Sequence, residues 1–202
     1  AGGGQRVAFH SLVCREPAPF ELSLAGTYQA ENAALVIMAA KLLERDDARI
    51  TEEALRTALA HVRHPARFEI RSWAAGDAVV DGAHNPAGMA ALRASLDRYF
   101  PKEQRVFVLG ILKDKDIDTM LSTLLRPGDV VVTVRPNSER AAGADVVAAV
   151  AAAMGLDTVA CGDVETALVE AERRAHGDAL LVACGSLYLV GGVRKLLRAA
   201  GR

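Results

Sequence analysis

Four short apolar runs punctuate the second half of the chain: "RVFVLGIL" (105–112), "DVVVTV" (129–134), "DTVAC" (157–161) and "ALLVACG" (179–185). None alternates apolar with polar residues, and each leads into a segment of helical texture. Those segments begin at Ile117, near Ala144, near Val164 and at about Leu187. Continuous apolar runs between helices mark parallel strands covered on both faces. Two further short strands precede them, "RFEIRSW" and "DAVVDG", joined by the turn "AAGD". The pattern predicts an α/β domain, a Rossmann-like doubly wound, mostly parallel sheet with an extra edge strand.

The beginning of the chain has a different texture. "RVAFHSLVC" and "FELSLAG" read as short strands separated by the turn-forming "REPAP". A helix is predicted over 29–45, where good helix formers dominate. A second starts at Thr51, a suitable N-cap, with Leu55, Ala58, Leu59 and Val62 on one face. "RHPAR" ends it, because the residue before a proline resists the helical region. The expected division is therefore 1–63 and 64–202.

Composition narrows the class. The 24 basic residues nearly cancel the 25 acidic ones, and they do not cluster, which argues against a nucleic-acid face. Cys14, Cys161 and Cys184 are few and far apart, as small apolar fillers in a reducing compartment would be. Charge interrupts every apolar stretch before it spans a bilayer, so a soluble, cytoplasmic, membrane-free chain is expected.

Candidate chemistry concentrates in "VVDGAHNPAGMAAL" (79–92). Asn85 suits a helix N-cap and Pro86 the first helical position, with Met89, Leu92, Leu96 and Tyr99 as the buried stripe. Asp81 and His84 then lie at the carboxyl edge of a strand, where open α/β sheets bind ligands. Loops at 113–116, 135–138 and 185–186 should open on the same rim. A carboxylate such as Asp81 suits a ribose diol, His84 a carboxylate, and Arg67 a phosphate through its planar fork. Plainer readings stand beside these. Arg67 pairs with Glu69 or Asp77, Ser186 merely caps a helix, and Asn32 is a surface residue. No P-loop, HExxH or GxGxxG is present.

"GTYQAENAAL" (26–35), "HPARFE" (64–69), "DGAHNP" (81–86), "DKD" (114–116) and "CGSLYLVGGVR" (184–194) occur in that order. In this the sequence resembles the carboxyl-terminal half of the folylpolyglutamate synthase/dihydrofolate synthase family, in the Mur ligase superfamily. Tyr28 departs from the family, where histidine is usual. The resemblance implies an ATP-dependent ligase that joins glutamate to folate or dihydropteroate through an acyl phosphate. It implies that Asn32 contacts adenine, Arg67 the phosphates and Asp81 the ribose, and that His84 and Ser186 bind glutamate. ATP and Mg²⁺ would be held mainly by an upstream P-loop domain. Residues 1–63 would be the remnant of that central domain, and the intact enzyme a monomer. The chain alone is expected to be truncated and inactive. Two alternatives remain open: a nucleotide-binding module without catalysis, and a fragment of a Mur-type peptidoglycan ligase.

Overall fold

The computed structural model describes residues 4–10, 18–101, 103–177 and 179–200. Cys14, the end of the first expected strand and most of the "REPAP" turn lie outside the described residues. The chain divides into two compact units, Ala1–Pro65 and Ala66–Arg202.

In the first unit, β1 (Gln5–Phe9) pairs antiparallel with β2 (Ala18–Leu22). Helices α1 (Tyr28–Leu43) and α2 (Glu52–His61) follow. The Thr51 side chain caps α2 by accepting from the Ala54 amide at 3.1 Å. Phe9, Phe20, Leu22, Ala33, Ile37, Leu55 and Leu59 form its core. The stripe expected on α2 is narrower in fact. Leu55 and Leu59 are buried, whereas Ala58 and Val62 remain exposed.

The second unit is built on one six-stranded sheet of order β3-β4-β8-β5-β6-β7. Its strands are β3 (Glu69–Trp73), β4 (Gly76–Val80), β5 (Arg105–Leu109), β6 (Val130–Val134), β7 (Asp157–Cys161) and β8 (Leu180–Cys184). All neighbours run parallel except β3, the antiparallel edge strand beside β4. Five helices intervene or follow: α3 (Pro86–Tyr99), α4 (Ile117–Leu124), α5 (Ala144–Ala153), α6 (Val164–Arg174) and α7 (Leu187–Ala200). This is the mixed, mostly parallel α/β architecture that the apolar runs predict.

Alternation along the strands assigns the faces. Val80, Val106, Val108, Val132 and Leu181 pack in one cluster with Ala167 and Ala171 of α6 and with Leu189, Val190 and Val193 of α7. Val79, Phe107, Val131 and Val182, all 0% exposed, therefore belong to the opposite face, on the side of α3, α4 and α5. The helix after β4 thus leaves on one face and the helix after β8, its neighbour, on the other. The carboxyl edge between these two strands is thus the switch point, the place at which doubly wound sheets bind ligands.

Phe107 sits on a central strand with no exposed surface. Phe107→Ala is expected to lower the unfolding free energy of the second unit by about 3–5 kcal/mol, read from guanidinium denaturation. A far smaller loss would mean that the middle of this sheet is loosely packed.

Candidate functional site

The rim is assembled by backbone bonds between strand ends. Asp81 N–H donates to the Ala183 carbonyl at 3.0 Å and Gly185 N–H to the Ala83 carbonyl at 2.9 Å, joining the exits of β4 and β8. Gly82 N–H donates to the Ala66 carbonyl at 2.8 Å, which brings in the segment before β3. Gly185 has φ 110°, and a Cβ there would lie 2.8 Å from the Gly110 carbonyl oxygen, so this turn requires glycine.

Asp81 is 4% exposed. Its Oδ2 accepts from the Phe68 amide at 2.7 Å and its Oδ1 from the Ala83 amide at 2.8 Å. The carboxylate is therefore a brace as well as a rim acid, and its removal strands two buried amides at about 1–3 kcal/mol each. Beneath it, burial and then the Asp81 charge push the Cys184 thiol well above its ordinary range. Cys184 is thus a neutral filler, as expected for a cysteine of this kind.

Arg67 sits between two residues with left-handed backbone, Ala66 (φ 57°) and Phe68 (φ 46°). Neither is glycine, so each costs about 1–3 kcal/mol and persists only where its surroundings impose it. They do. The Phe68 ring stands 5.3 Å from that of Tyr99 and 6.4 Å from that of Phe100, while its amide is held by Asp81. Ala66 N–H donates to Glu69 Oε2 at 2.9 Å. Arg67 Nη1 donates to the Ala66 carbonyl at 3.3 Å and lies over Gly82, where a Cβ would occupy its place. The plainer reading of Arg67 as partner of Glu69 or Asp77 does not hold. Glu69 pairs instead with Arg71 and Arg194, and no ion pair to Arg67 occurs among the described residues.

His84 and Ser186 complete the rim. His84 Nδ1 lies 2.8 Å from the Gly82 carbonyl, which can only accept, so Nδ1 carries the proton. In the neutral ring Nε2 is then a lone-pair acceptor. Ser186, 2% exposed, accepts from the Leu189 amide at 3.2 Å and so caps α7, and its hydroxyl proton remains a donor. Asn32 belongs to the other unit, exposed on α1, where its amide donates to Gln29 Oε1 at 3.0 Å.

The loops at 113–116 and 135–138 have structural employment, Ser138 Oγ accepting from the Arg140 amide at 3.2 Å. Asp114 pairs with Arg140 at 2.7 Å, and Asp116 caps α4 through the Thr119 amide at 3.1 Å. Sequence reasoning named Glu69 only as a partner for Arg67 and passed over Arg194, although both stand inside the quoted motifs. Burial acts to raise the Glu69 pKa. Hydrogen bonds from Arg194, the Ala66 amide and Arg71 outweigh it and hold the carboxyl below the usual glutamate range.

A family model described as "Mur ligase, glutamate ligase domain" matches residues 66–187. The chain is 35% identical over 175 residues to a probable bifunctional folylpolyglutamate synthase/dihydropteroate synthase of Halobacterium salinarum, across 86% of this chain and 21% of that protein. It is 34% identical over 192 residues to the dihydrofolate synthase/folylpolyglutamate synthase of Mycobacterium tuberculosis, across 87% of this chain and 39% of the relative. The solved structure of Mycobacterium tuberculosis folylpolyglutamate synthase complexed with ADP gives a TM-score of 0.78 at 26% identity, covering 96% of this chain and 46% of that one. A bifunctional folylpolyglutamate synthase/dihydrofolate synthase solved with Mn, AMPPNP and L-glutamate bound gives 0.64 at 29% identity, covering 73% of this chain and 35% of that one. The chain thus spans less than half the length of each of these proteins.

Because Glu69 titrates lower in the folded protein than in the unfolded chain, the unfolded chain takes up its proton first as pH falls. The stability it contributes is complete above the ordinary value of 4.5 and is lost as pH falls through the lower folded value. Guanidinium unfolding should therefore show Glu69→Gln less stable than the parent at neutral pH, with the gap closing below pH 4.5. A gap that is constant with pH would show that Glu69 is not held as an anion.

Proposed function

The chain belongs to the family of the Mur ligase glutamate ligase domain, and from that premise we propose that it is the carboxyl-terminal portion of an ATP-dependent ligase adding glutamate to folate or dihydropteroate. The observation that carries this reading is the convergence of Arg67, Asp81, His84 and Ser186 on the rim where β4 and β8 end. Relatives named for folate ligation, and a solved structure of one such enzyme with AMPPNP, Mn and L-glutamate bound, support this choice of ligands.

The reaction divides into two steps. The terminal phosphoryl group of ATP forms a bond to a carboxylate oxygen of the folate or pteroate, and ADP leaves. The glutamate amine then attacks the activated carbonyl, an amide bond forms, phosphate departs and the amine loses a proton. In this scheme Arg67 grips phosphate oxygens with its fork. Asp81 accepts from the ribose hydroxyls, and because each carboxylate oxygen accepts more than one hydrogen bond, this is compatible with its role as a brace. Asn32 presents its amide edge to adenine. Ser186 donates its hydroxyl proton to the glutamate carboxylate. Neutral His84 accepts an amine N–H at Nε2, and protonated His84 grips the carboxylate instead.

Mg²⁺ and the β- and γ-phosphates are held in this scheme by an upstream domain of a longer polypeptide, a cytoplasmic monomer. The first unit is the end of that domain. Its helix α1 leaves Leu35 71% and Leu42 57% exposed, as expected of an element that continues a larger core. Phosphoryl transfer depends on positioning and on neutralising phosphate charge, which in this scheme the upstream domain largely supplies, so this chain alone is expected not to turn over.

In the complete ligase, Arg67→Ala is expected to raise the KM for ATP and His84→Ala that for glutamate, each by about 10- to 150-fold, the value of a hydrogen bond to a charged group. Steady-state kinetics with each substrate varied would test this. Loss of ATP use in His84→Ala with normal glutamate saturation would reverse the ligand assignment. A phosphate-release assay on this chain alone, with ATP, folate and glutamate, should show no turnover. Turnover at the rate of a complete ligase would overturn the reading of it as a portion. ATP binding without glutamate dependence in the complete protein would favour a nucleotide-binding module.

A further inference from the structure

Glu69 and Arg194 stand inside motifs that also carry Arg67 and Ser186, and the ligand assignments above give neither of the pair a role. Arg194 lies on α7, the helix that Ser186 caps, and its Nε donates to Glu69 Oε2 at 2.6 Å across 125 residues of sequence. The same oxygen accepts the Ala66 amide at 2.9 Å, and Oε1 accepts from Arg71 Nε at 2.9 Å. Side-chain exposure is 16% for Glu69 and 21% for Arg194, so the pair is largely shielded from water. Surface ion pairs are worth little, but a shielded carboxylate with three donors fixes geometry.

What it fixes is a strained turn. The left-handed backbone at Ala66 and Phe68 is unfavourable for residues with a Cβ, and it persists only where contacts on both sides impose it. Asp81 imposes it at Phe68, and Glu69 imposes it at Ala66. Arg67 is the residue between them. Without Arg194, Glu69 keeps Arg71 and is free to swing toward it, and the Ala66 amide loses its oriented acceptor.

We propose that Glu69 and Arg194 form a positioning clasp that holds the 66–68 turn so that the Arg67 guanidinium is presented over Gly82 toward the nucleotide phosphates. This rests on the reading of Arg67 as a phosphate ligand. The clasp touches no substrate and acts through Arg67 alone.

A double-mutant cycle in the complete ligase tests it, with Arg67→Ala, Arg194→Met and their combination. Arg194→Met should raise the KM for ATP about tenfold while leaving the KM for glutamate within about twofold. The combination should be no worse than Arg67→Ala alone, because the clasp has nothing left to position. Arg194→Lys, which restores one donor to Glu69, should recover most of the loss. Multiplying effects in the double variant, or equal rises in both KM values with a falling Tm, would make the pair a general structural support and overturn the proposal. An unchanged ATP KM in Arg194→Met beside a raised one in Arg67→Ala would also overturn it, leaving the phosphate role of Arg67 intact. An unchanged ATP KM in Arg67→Ala would remove that role and the clasp with it.

Discussion

Everything at the rim depends on one buried carboxylate. Asp81 follows the last residue of β4, and its two oxygens take the amides of Phe68 and Ala83. One bond fixes the segment entering β3, and the other fixes the loop entering α3. Its own amide is spent on the Ala183 carbonyl of β8. Three pieces of chain that are distant in sequence therefore meet at one side chain. An anion in such a place is tolerable because oriented N–H dipoles replace the water it lost.

The opposite edge of the sheet uses charge differently. Arg105 is 5% exposed and donates to Asp97 at 2.8 Å and to the Phe100 carbonyl at 3.1 Å. Asp129 accepts the Arg126 amide at 2.8 Å and lies 3.4 Å from Arg93. Burial raises the Asp129 pKa despite that amide and the nearby arginines. Acids and bases here pair with one another, although the buried Arg105 Nε has no acceptor among the described residues, and the pairing makes this edge a fastening. At the carboxyl edge Asp81 is instead satisfied by backbone amides, Glu69 divides between the Ala66 amide and two arginines, and Arg67 is left without a carboxylate among the described residues.

Much of this was legible in the sequence, for reasons that differ by element. The parallel strands were readable because a strand buried on both faces must be apolar throughout, as "VVVTV" and "LLVAC" are. The start of α3 was readable because Asn85 and Pro86 are a local signal, and Asn85 does accept the Gly88 amide at 2.7 Å. The extent of a buried helix face was not. It depends on what a partner covers, so Val62 on α2 stays exposed while Ser95 on α3 is buried. Partnership across the fold was equally hidden. Nothing local says that Glu69 will choose Arg194 over Arg67, because the choice is made by the path of α7 past β3. The double duty of Asp81 was hidden for the same reason.

The division of labour between acid and base has a steric corollary. A guanidinium that is to meet a phosphate must not already be neutralised by a carboxylate, yet its long side chain must be held still. Here the carboxylates hold the backbone, Glu69 and Asp81 acting through the amides on either side of Arg67, while the guanidinium itself meets the neutral Ala66 carbonyl. Gly82 then leaves the space that the guanidinium fills, bounded by Leu187 at the start of α7. A Cβ at residue 82 would lie 2.7 Å from Leu187 Cδ2 as well as on Arg67 Nη1, the ends of two flexible side chains, so a larger residue there would displace the guanidinium from this place. The glycine in "DGAHNP" therefore leaves the arginine in "HPARFE" its place, and two separate motifs specify one feature of the rim.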